Sequence, residues 1–328
     1  MTQRRQILSA AAGALVVPRL LAQATAPPTV CYLALASRQS DARSVAAFRD
    51  GMRAAGQVEG KTFALSDLYA DGNLARAEAM LREQLARGVA VFLLPGAAAA
   101  RLVLRVTQEV PIVAMGLHPR GGQTDLFASL AKPGGMVTGV SNFGEELSAK
   151  RVQLLKEVLP KLKVVGVLHN TTDPLFRRWG EETQGEIRAQ GLVATSLGLT
   201  TTSTDALQQT LRAGRARGVE AVVVVRDFLT SALYEAIARM TREIGLATIA
   251  EERRYPESGA LMSYGASDDD LFRKAAAYVD RVLKGARPAD LPIEQPTRFE
   301  LVINLQTARA LGIKLPQSLL LRADEVIQ

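Results

Sequence analysis

Cysteine is almost missing from this chain: Cys31 is the only one, so no disulfide framework can form within it. Histidine is nearly as scarce. His118 and His169 each follow an apolar run without an H-x-x-x-H or C-x-x-C companion, which leaves a zinc site of His and Cys little material. There is no G-x-S-x-G nucleophile elbow and no G-x-x-x-x-G-K-[ST] phosphate loop. Aromatic residues make up only 5%, which argues against the stacked aromatic walls of a sugar cleft. Beyond the N-terminus no segment approaches 18 uninterrupted apolar residues, so the mature chain is expected to be soluble. Together these absences point away from an enzyme: no catalytic residue, metal or cofactor is expected.

What is present is a long, moderately apolar chain. Its 328 residues, 48% hydrophobic, suffice for two domains of ordinary size. Residues 1–24 stand apart: Arg4 and Arg5 form a basic start, residues 7–17 an apolar stretch, and Ala22-Gln23-Ala24 an A-x-A cleavage site, the order of a secretory signal peptide cut near Ala24. The paired arginines leave both the general and the twin-arginine export routes open. Removing Arg4, Arg5 and Arg19 lowers the formal charge from +7 to +4, so the basic balance belongs partly to this segment and makes no case for nucleic acid. Cys31 follows Pro28-Thr29-Val30 rather than a lipoprotein cleavage box and opens an apolar strand pattern, so it reads as a buried structural thiol.

Short apolar runs alternate with helical patterns along the rest. Residues 30–36, 63–69, 89–94 and 111–115 read as strands, and 41–55, 73–87 and 97–107 as helices. After Gly144 the plan restarts, with helices at 145–159, 175–190, 204–217 and 229–244 and strands at 164–168, 192–197, 221–225 and 247–250. The strands are apolar nearly throughout, as in a parallel sheet covered by helices on both faces. Two similar α/β lobes, each doubly wound, follow from this repetition. Residues 268–284 form an amphipathic helix with Phe272, Ala275, Ala276, Val279 and Leu283 as its stripe. Asp268-Asp269-Asp270 ahead of that stripe reads as an N-terminal cap run rather than a metal cluster. Residues 288–296, punctuated by Pro288, Pro292 and Pro296, are a link; residues 299–304 then alternate as a strand, and short helical pieces at 305–311 and 316–320 close the chain.

In open parallel sheets ligands bind where loops converge at the carboxyl ends of the strands. Those loops hold Ser37, Gly96 with Ala97, Met115 with Gly116, and Ser141-Asn142-Phe143 in the first half; the second offers Asn170-Thr171, Asp227-Phe228 and Glu251. Asp173 before Pro174 reads as a helix cap. Charge at Arg226-Asp227, ending a wholly apolar strand, either faces the cleft or pairs locally.

Several blocks resemble one family, the substrate-binding proteins of ABC importers. The tail carries Met262-Ser263-Tyr264-Gly265, then Ala289-Asp290-Leu291-Pro292 and Glu294-Gln295-Pro296-Thr297, then Phe299-Glu300-Leu301-Val302-Ile303-Asn304-Leu305, and Arg322-Ala323-Asp324-Glu325-Val326-Ile327. Pro133-Gly134-Gly135-Met136-Val137-Thr138-Gly139-Val140-Ser141 is similar to the family's PGGNVTGVS, with Met136 where asparagine is common. The resemblance implies the type I periplasmic binding fold: two lobes joined by a three-segment hinge, with crossings near residues 139–143, 263–265 and 288–296. The implied division is 28–141 plus 265–292 for the N-terminal lobe and 142–264 plus 293–328 for the C-terminal lobe. It further implies a periplasmic protein that captures a small organic solute by lobe closure and delivers it to an ABC permease at the inner membrane, acting as a monomer. An amino acid or related compound is the favoured solute. Its carboxylate is assigned to Ser141, Asn142 and Thr171 with N–H groups near Gly96 and Ala97, its ammonium to Asp227 or Glu251, and its side chain to Phe143, Phe228 and Tyr264. The rival readings are a ligand-sensing module feeding a receptor and, with His118 and His169 as its unsupported bases, a periplasmic enzyme.

Overall fold

A computed structural model describes residues 26–117, 125–142 and 144–328; the signal-peptide reading, His118 and Phe143 lie outside the described residues. The first half contains β1 (Thr29–Ala34), α1 (Arg38–Ala54), β2 (Ala64–Tyr69), α2 (Leu74–Ala86), β3 (Val91–Leu94), α3 (Ala97–Val106), β4 (Ile112–Leu117) and β5 (Val137–Ser141). There follow α4 (Ser148–Val158), β6 (Val164–Asn170), α5 (Pro174–Ala189), β7 (Val193–Leu199), α6 (Thr204–Ala216), β8 (Ala221–Val224), α7 (Phe228–Ala232), α8 (Tyr234–Glu243), β9 (Ala247–Ala250), α9 (Arg254–Glu257) and β10 (Met262–Ala266). The chain ends with α10 (Asp268–Leu283), β11 (Phe299–Asn304), α11 (Leu305–Ala310), α12 (Gln317–Leu320) and β12 (Glu325–Ile327).

These strands form two sheets. One is five-stranded and wholly parallel, in the order β2-β1-β3-β4-β5; the other has seven strands in the order β12-β11-β10-β9-β8-β6-β7, parallel except between β10 and β11. Both faces of each sheet are covered, which is why the strands are apolar at successive positions. In β1, Val30, Tyr32 and Ala34 join a core with Phe48, Met52, Phe272 and Val279 of α1 and α10, whereas Cys31 and Leu33 face Leu81, Leu102 and Val103 of α2 and α3. Each fully buried side chain of this size contributes roughly 1.5–3 kcal/mol. Burial also pushes the Cys31 thiol up to about 12, which keeps it protonated and unreactive.

The chain passes between the sheets three times. It leaves the first after β5, returns from β10 through Ser267 into α10, which packs on α1, and leaves again beyond Leu291 and Ile293, both buried in the first core. The first and third passages run side by side: Ser141 N donates to Glu294 O at 2.8 Å and Glu294 N to Gly139 O at 3.1 Å. This is the α/β architecture of two parallel-dominated sheets that the sequence predicts.

Several details differ from the sequence reading. The helix expected over 229–244 starts one residue earlier, at Phe228, behind a reciprocal capping box between Asp227 and Thr230, and is broken at Leu233 into α7 and α8. Residues 262–266 are a full strand rather than a bare connector, and residues 325–327 add an edge strand. The helix expected from residue 41 begins at Arg38, since Ser37 caps it by accepting from Ser40 N.

Candidate functional site

Between the sheets lies a cleft of about 250 Å³. That is near the small end of ligand pockets, which run from about 300 to 1,000 Å³, and suits a small solute rather than a peptide. One wall comes from the first lobe: Tyr32, the start of α1 with Ser40, Asp41 and Arg43, the segment from Pro95 to Ala99 after β3, and Gly116 in β4. The other comes from the segment after β8, namely Arg226, Asp227, Phe228 and Ser231, from Glu252, Arg253 and Arg254 after β9, and from Phe176 and Tyr234. Asn142 on the first crossing and Asp268, Asp269 and Phe272 on α10 complete it.

Six of the lining side chains are carboxylic acids (Asp41, Asp227, Glu252, Glu257, Asp268 and Asp269) and four are arginines (Arg43, Arg226, Arg253 and Arg254). The cleft of a basic chain is thus locally acidic, a balance that favours a cationic group on the occupant. Most of these charges neutralise one another. Arg226 reaches Asp268 at 2.9 Å and Glu252 at 3.3 Å, and Arg254 reaches Glu252 at 2.7 Å while lying over the Tyr234 ring at 4.8 Å. Burial raises the Glu252 carboxyl, but the attraction of Arg226 and Arg254 outweighs it and holds the group below its ordinary value. Burial likewise raises Asp41, offset in part by the hydrogen bond it accepts from Tyr32 Oη at 2.8 Å.

Asp227 is the exception. Its Oδ1 accepts from Thr230 N at 2.9 Å and Thr230 Oγ1 at 3.0 Å, while Oδ2 is buried without a hydrogen-bond partner among the described residues. Burial pushes this carboxyl up to about 6, despite Thr230, which hydrogen-bonds it, and the nearby Asn170 amide, which falls short of a hydrogen bond; both favour its ionised form. A cation delivered to Oδ2 would relieve both deficits.

Of the fourteen residues singled out from sequence, Gly96, Ala97, Gly116, Asn142, Asp227 and Phe228 line the cleft. Phe143 lies outside the described residues. The structure does not bring the other seven to the cleft lining. Ser37 is the cap of α1, Met115 belongs to the core beside α10, and Ser141 is enclosed in β5. Asn170 accepts from Thr172 N and Oγ1, and Thr171 donates to Leu199 O at 3.2 Å, so both close the turn after β6. Glu251 faces Arg151 and Asn142 behind the wall, and the Tyr264 ring packs on Phe299 with a centroid separation of 6.2 Å. His169 is buried with Nε2 2.9 Å from Ser196 Oγ and does not line the cleft.

Sequence reasoning missed Tyr32, Asp41, Tyr234, Arg254 and Phe272, which read as core or helix-surface positions and reach the cleft only through the packing of one element on another. Asp268 and Asp269 carried a signal in their repeated acids. Beyond complementing the α10 dipole, they meet Arg226 and Arg43. Five aromatic rings, Tyr32, Phe176, Phe228, Tyr234 and Phe272, gather here despite the low overall aromatic content.

A family model described as ABC transporter substrate binding protein matches residues 30–327. A tyrosine-binding protein of Clostridioides difficile (strain R20291) is 26% identical over 216 residues, 66% of this chain; the matched part spans 61% of that relative's length. Among solved structures, an ABC domain in complex with L-Trp from Streptococcus pneumonia is similar at a TM-score of 0.83 and 23% identity, covering 92% of this chain and 100% of that one. A ligand-free, open substrate-binding protein with adhesive properties from Clostridium difficile is similar at 0.67 and 19% identity, covering 92% of this chain and 99% of that one.

Proposed function

Because the chain belongs to the ABC transporter substrate binding protein family, we propose that it captures an amino acid with an aromatic side chain outside the cytoplasm and hands it to an ABC permease. The observation that carries this reading is the unpartnered Oδ2 of Asp227, a buried carboxylate oxygen in an acidic cleft, with Phe228 beside it and Tyr32 and Phe272 on the opposite wall. An ammonium supplies the missing donors, and the rings give an aromatic side chain a surface to pack on. The relatives that bind tyrosine and tryptophan support the same solute class.

The five-stranded sheet with α10 and the seven-stranded sheet act as the two closing bodies in this reading, the chain changing body after Ala266 rather than at 265 and after Ile293 rather than at 292, within a monomeric, periplasmic protein. A solute stabilises the closed arrangement only through contacts made to both walls at once. No chemistry is performed on the solute. The test is a thermal-shift and calorimetric panel of L-tryptophan, L-tyrosine, L-phenylalanine, other amino acids and sugars on the chain without residues 1–24. An occupant at about a hundred times its dissociation constant adds roughly 2.7 kcal/mol and moves the unfolding midpoint by a few degrees. A response to sugars and to no amino acid would overturn the solute assignment.

A further inference from the structure

Behind the cleft wall a buried ionic relay joins a lining side chain to two of the three crossings. Arg151 in α4 is 1% exposed. Its Nη1 donates to Gly144 O on the first crossing at 2.9 Å, and its Nε donates to Tyr264 O, just before the second crossing, at 2.9 Å. The remaining Nη2 faces Glu251 Oε1 at 3.6 Å. Glu251 Oε2 in turn accepts from Asn142 Nδ2 at 3.2 Å, and Asn142 lines the cleft.

Two close approaches seat this relay. A Cβ on Gly144 would stand 2.6 Å and 2.7 Å from the two Glu251 carboxylate oxygens, and a Cβ on Gly265 would stand 2.4 Å from the Glu251 carbonyl oxygen. Glu251 therefore sits wedged between the first and second crossings, with glycine on either side because nothing larger fits.

We propose that Arg151 is a positioning residue that ties the first two crossings together and, through Glu251, sets the amide of Asn142 toward the solute. The chemistry fixes the direction. Glu251, balanced by a guanidinium that does not deprotonate in proteins, can only accept, so Asn142 must turn its NH₂ to it and keep its carbonyl oxygen as an acceptor. That Asn142 Oδ1 is buried and has no hydrogen-bond partner among the described residues. Asn142 thereby joins Asp227 as an acceptor for the ammonium of the solute rather than a donor to its carboxylate, the part expected from sequence, in a role that rests on the reading given under Proposed function. Burial works against both members of the pair, lowering Arg151 and raising Glu251, and the attraction between them offsets part of that penalty.

Arg151→Lys keeps the charge but gives up the planar fork that holds two carbonyls and a carboxylate at once, and Glu251→Gln removes the anion that orients Asn142. Spin labels at Ala75→Cys in α2 and Gln208→Cys in α6, both exposed, report the lobe separation, and Cys31 is too buried to compete for the label. In the ligand-free protein both relay variants are expected to broaden the distance distribution, and a wild-type distribution in either overturns the proposal. With L-tryptophan and L-tyrosine as calorimetric probes, Arg151→Lys is expected to weaken binding roughly tenfold in the wild-type background and by less than twofold beside Asn142→Ala. Equal losses in both backgrounds would overturn the relay and assign Arg151 a purely structural role. If wild-type protein binds neither probe, the solute assignment fails on its own, and the ligand-free distances still decide the place of Arg151.

Discussion

Arg226, two residues beyond β8 in one lobe, holds Asp268, the first residue of α10 in the other, at 2.9 Å, and both side chains are about four-fifths enclosed. The same guanidinium reaches Glu252, so a single cation balances an acid from each wall of the cleft. Substituting Arg226→Met is expected to leave Asp268 without its partner and Glu252 with Arg254 alone, at a cost of about 3 kcal/mol, because breaking a buried pair strands the remaining charge. Asp268→Asn is expected to cost less, since Arg226 keeps Glu252. Urea unfolding of both variants checks the order.

Asp227 ties stability to pH. Its carboxyl is raised from 3.8 to about 6 in the folded protein, so the folded state holds more protons than the unfolded state between those values. Stability therefore falls as pH rises through that window, by about 3 kcal/mol in all. Asp227→Asn keeps an oxygen to cap α7 but cannot ionise; it is expected to flatten the dependence between pH 4 and pH 6 and to be the more stable protein at pH 7. Thermal unfolding across pH measures this.

Binding is expected to move the opposite way. Wild-type affinity for an aromatic amino acid should rise from pH 5 to pH 7 as Asp227 ionises, and Asp227→Asn should bind at least about tenfold more weakly with little pH dependence. Calorimetry at the two pH values decides it; equal affinity of the two proteins at pH 7 would remove Asp227 from the ammonium site.

Arg43 offers a contrast. It donates to Asp269 on its own lobe and to Glu257 Oε1 across the cleft at 3.1 Å, but half of its side chain is exposed. Arg43→Ala is expected to change stability by less than about 1 kcal/mol, as for other surface pairs. Because the bond to Glu257 joins the two walls of the cleft, solute release is expected to quicken by up to roughly fivefold. Stopped-flow dissociation compared with urea unfolding separates the two effects.

Gly265→Ala should act on the fold. The added Cβ would stand 2.4 Å from the Glu251 carbonyl oxygen, a backbone atom that no side-chain rotation can move. A loss of about 1–3 kcal/mol is expected, as for other overpacked sites. A thermal midpoint equal to wild type would show that this approach has slack.

The two sheets were legible in the sequence because burial on both faces leaves continuous apolar runs, as in β1 and β8. The cleft was only half legible. Neighbouring residues at a strand end point to opposite sides, so Glu252 lines the cleft while Glu251, one position away, turns to Arg151. Nothing in the string Glu251-Glu252-Arg253 tells which acid faces which way. Ser37 posed the other ambiguity, since the hydroxyl that suits a solute also suits the cap of α1. Tyr32 and Phe272 looked like core and are core, yet their edges also form the wall of the cleft.

Trp179 is the only tryptophan in the chain; it is buried, stacked on Phe176 at a centroid distance of 6.2 Å, with Nε1 donating to Ser148 Oγ at 3.3 Å. Phe176 itself lines the cleft. The indole thus stands one ring away from any occupant and close to Gly144 on the first crossing, where a Cβ would come within 2.8 Å of it. The molecule carries its own optical gauge: one indole, with no dye attached, whose emission is expected to change when the cleft fills.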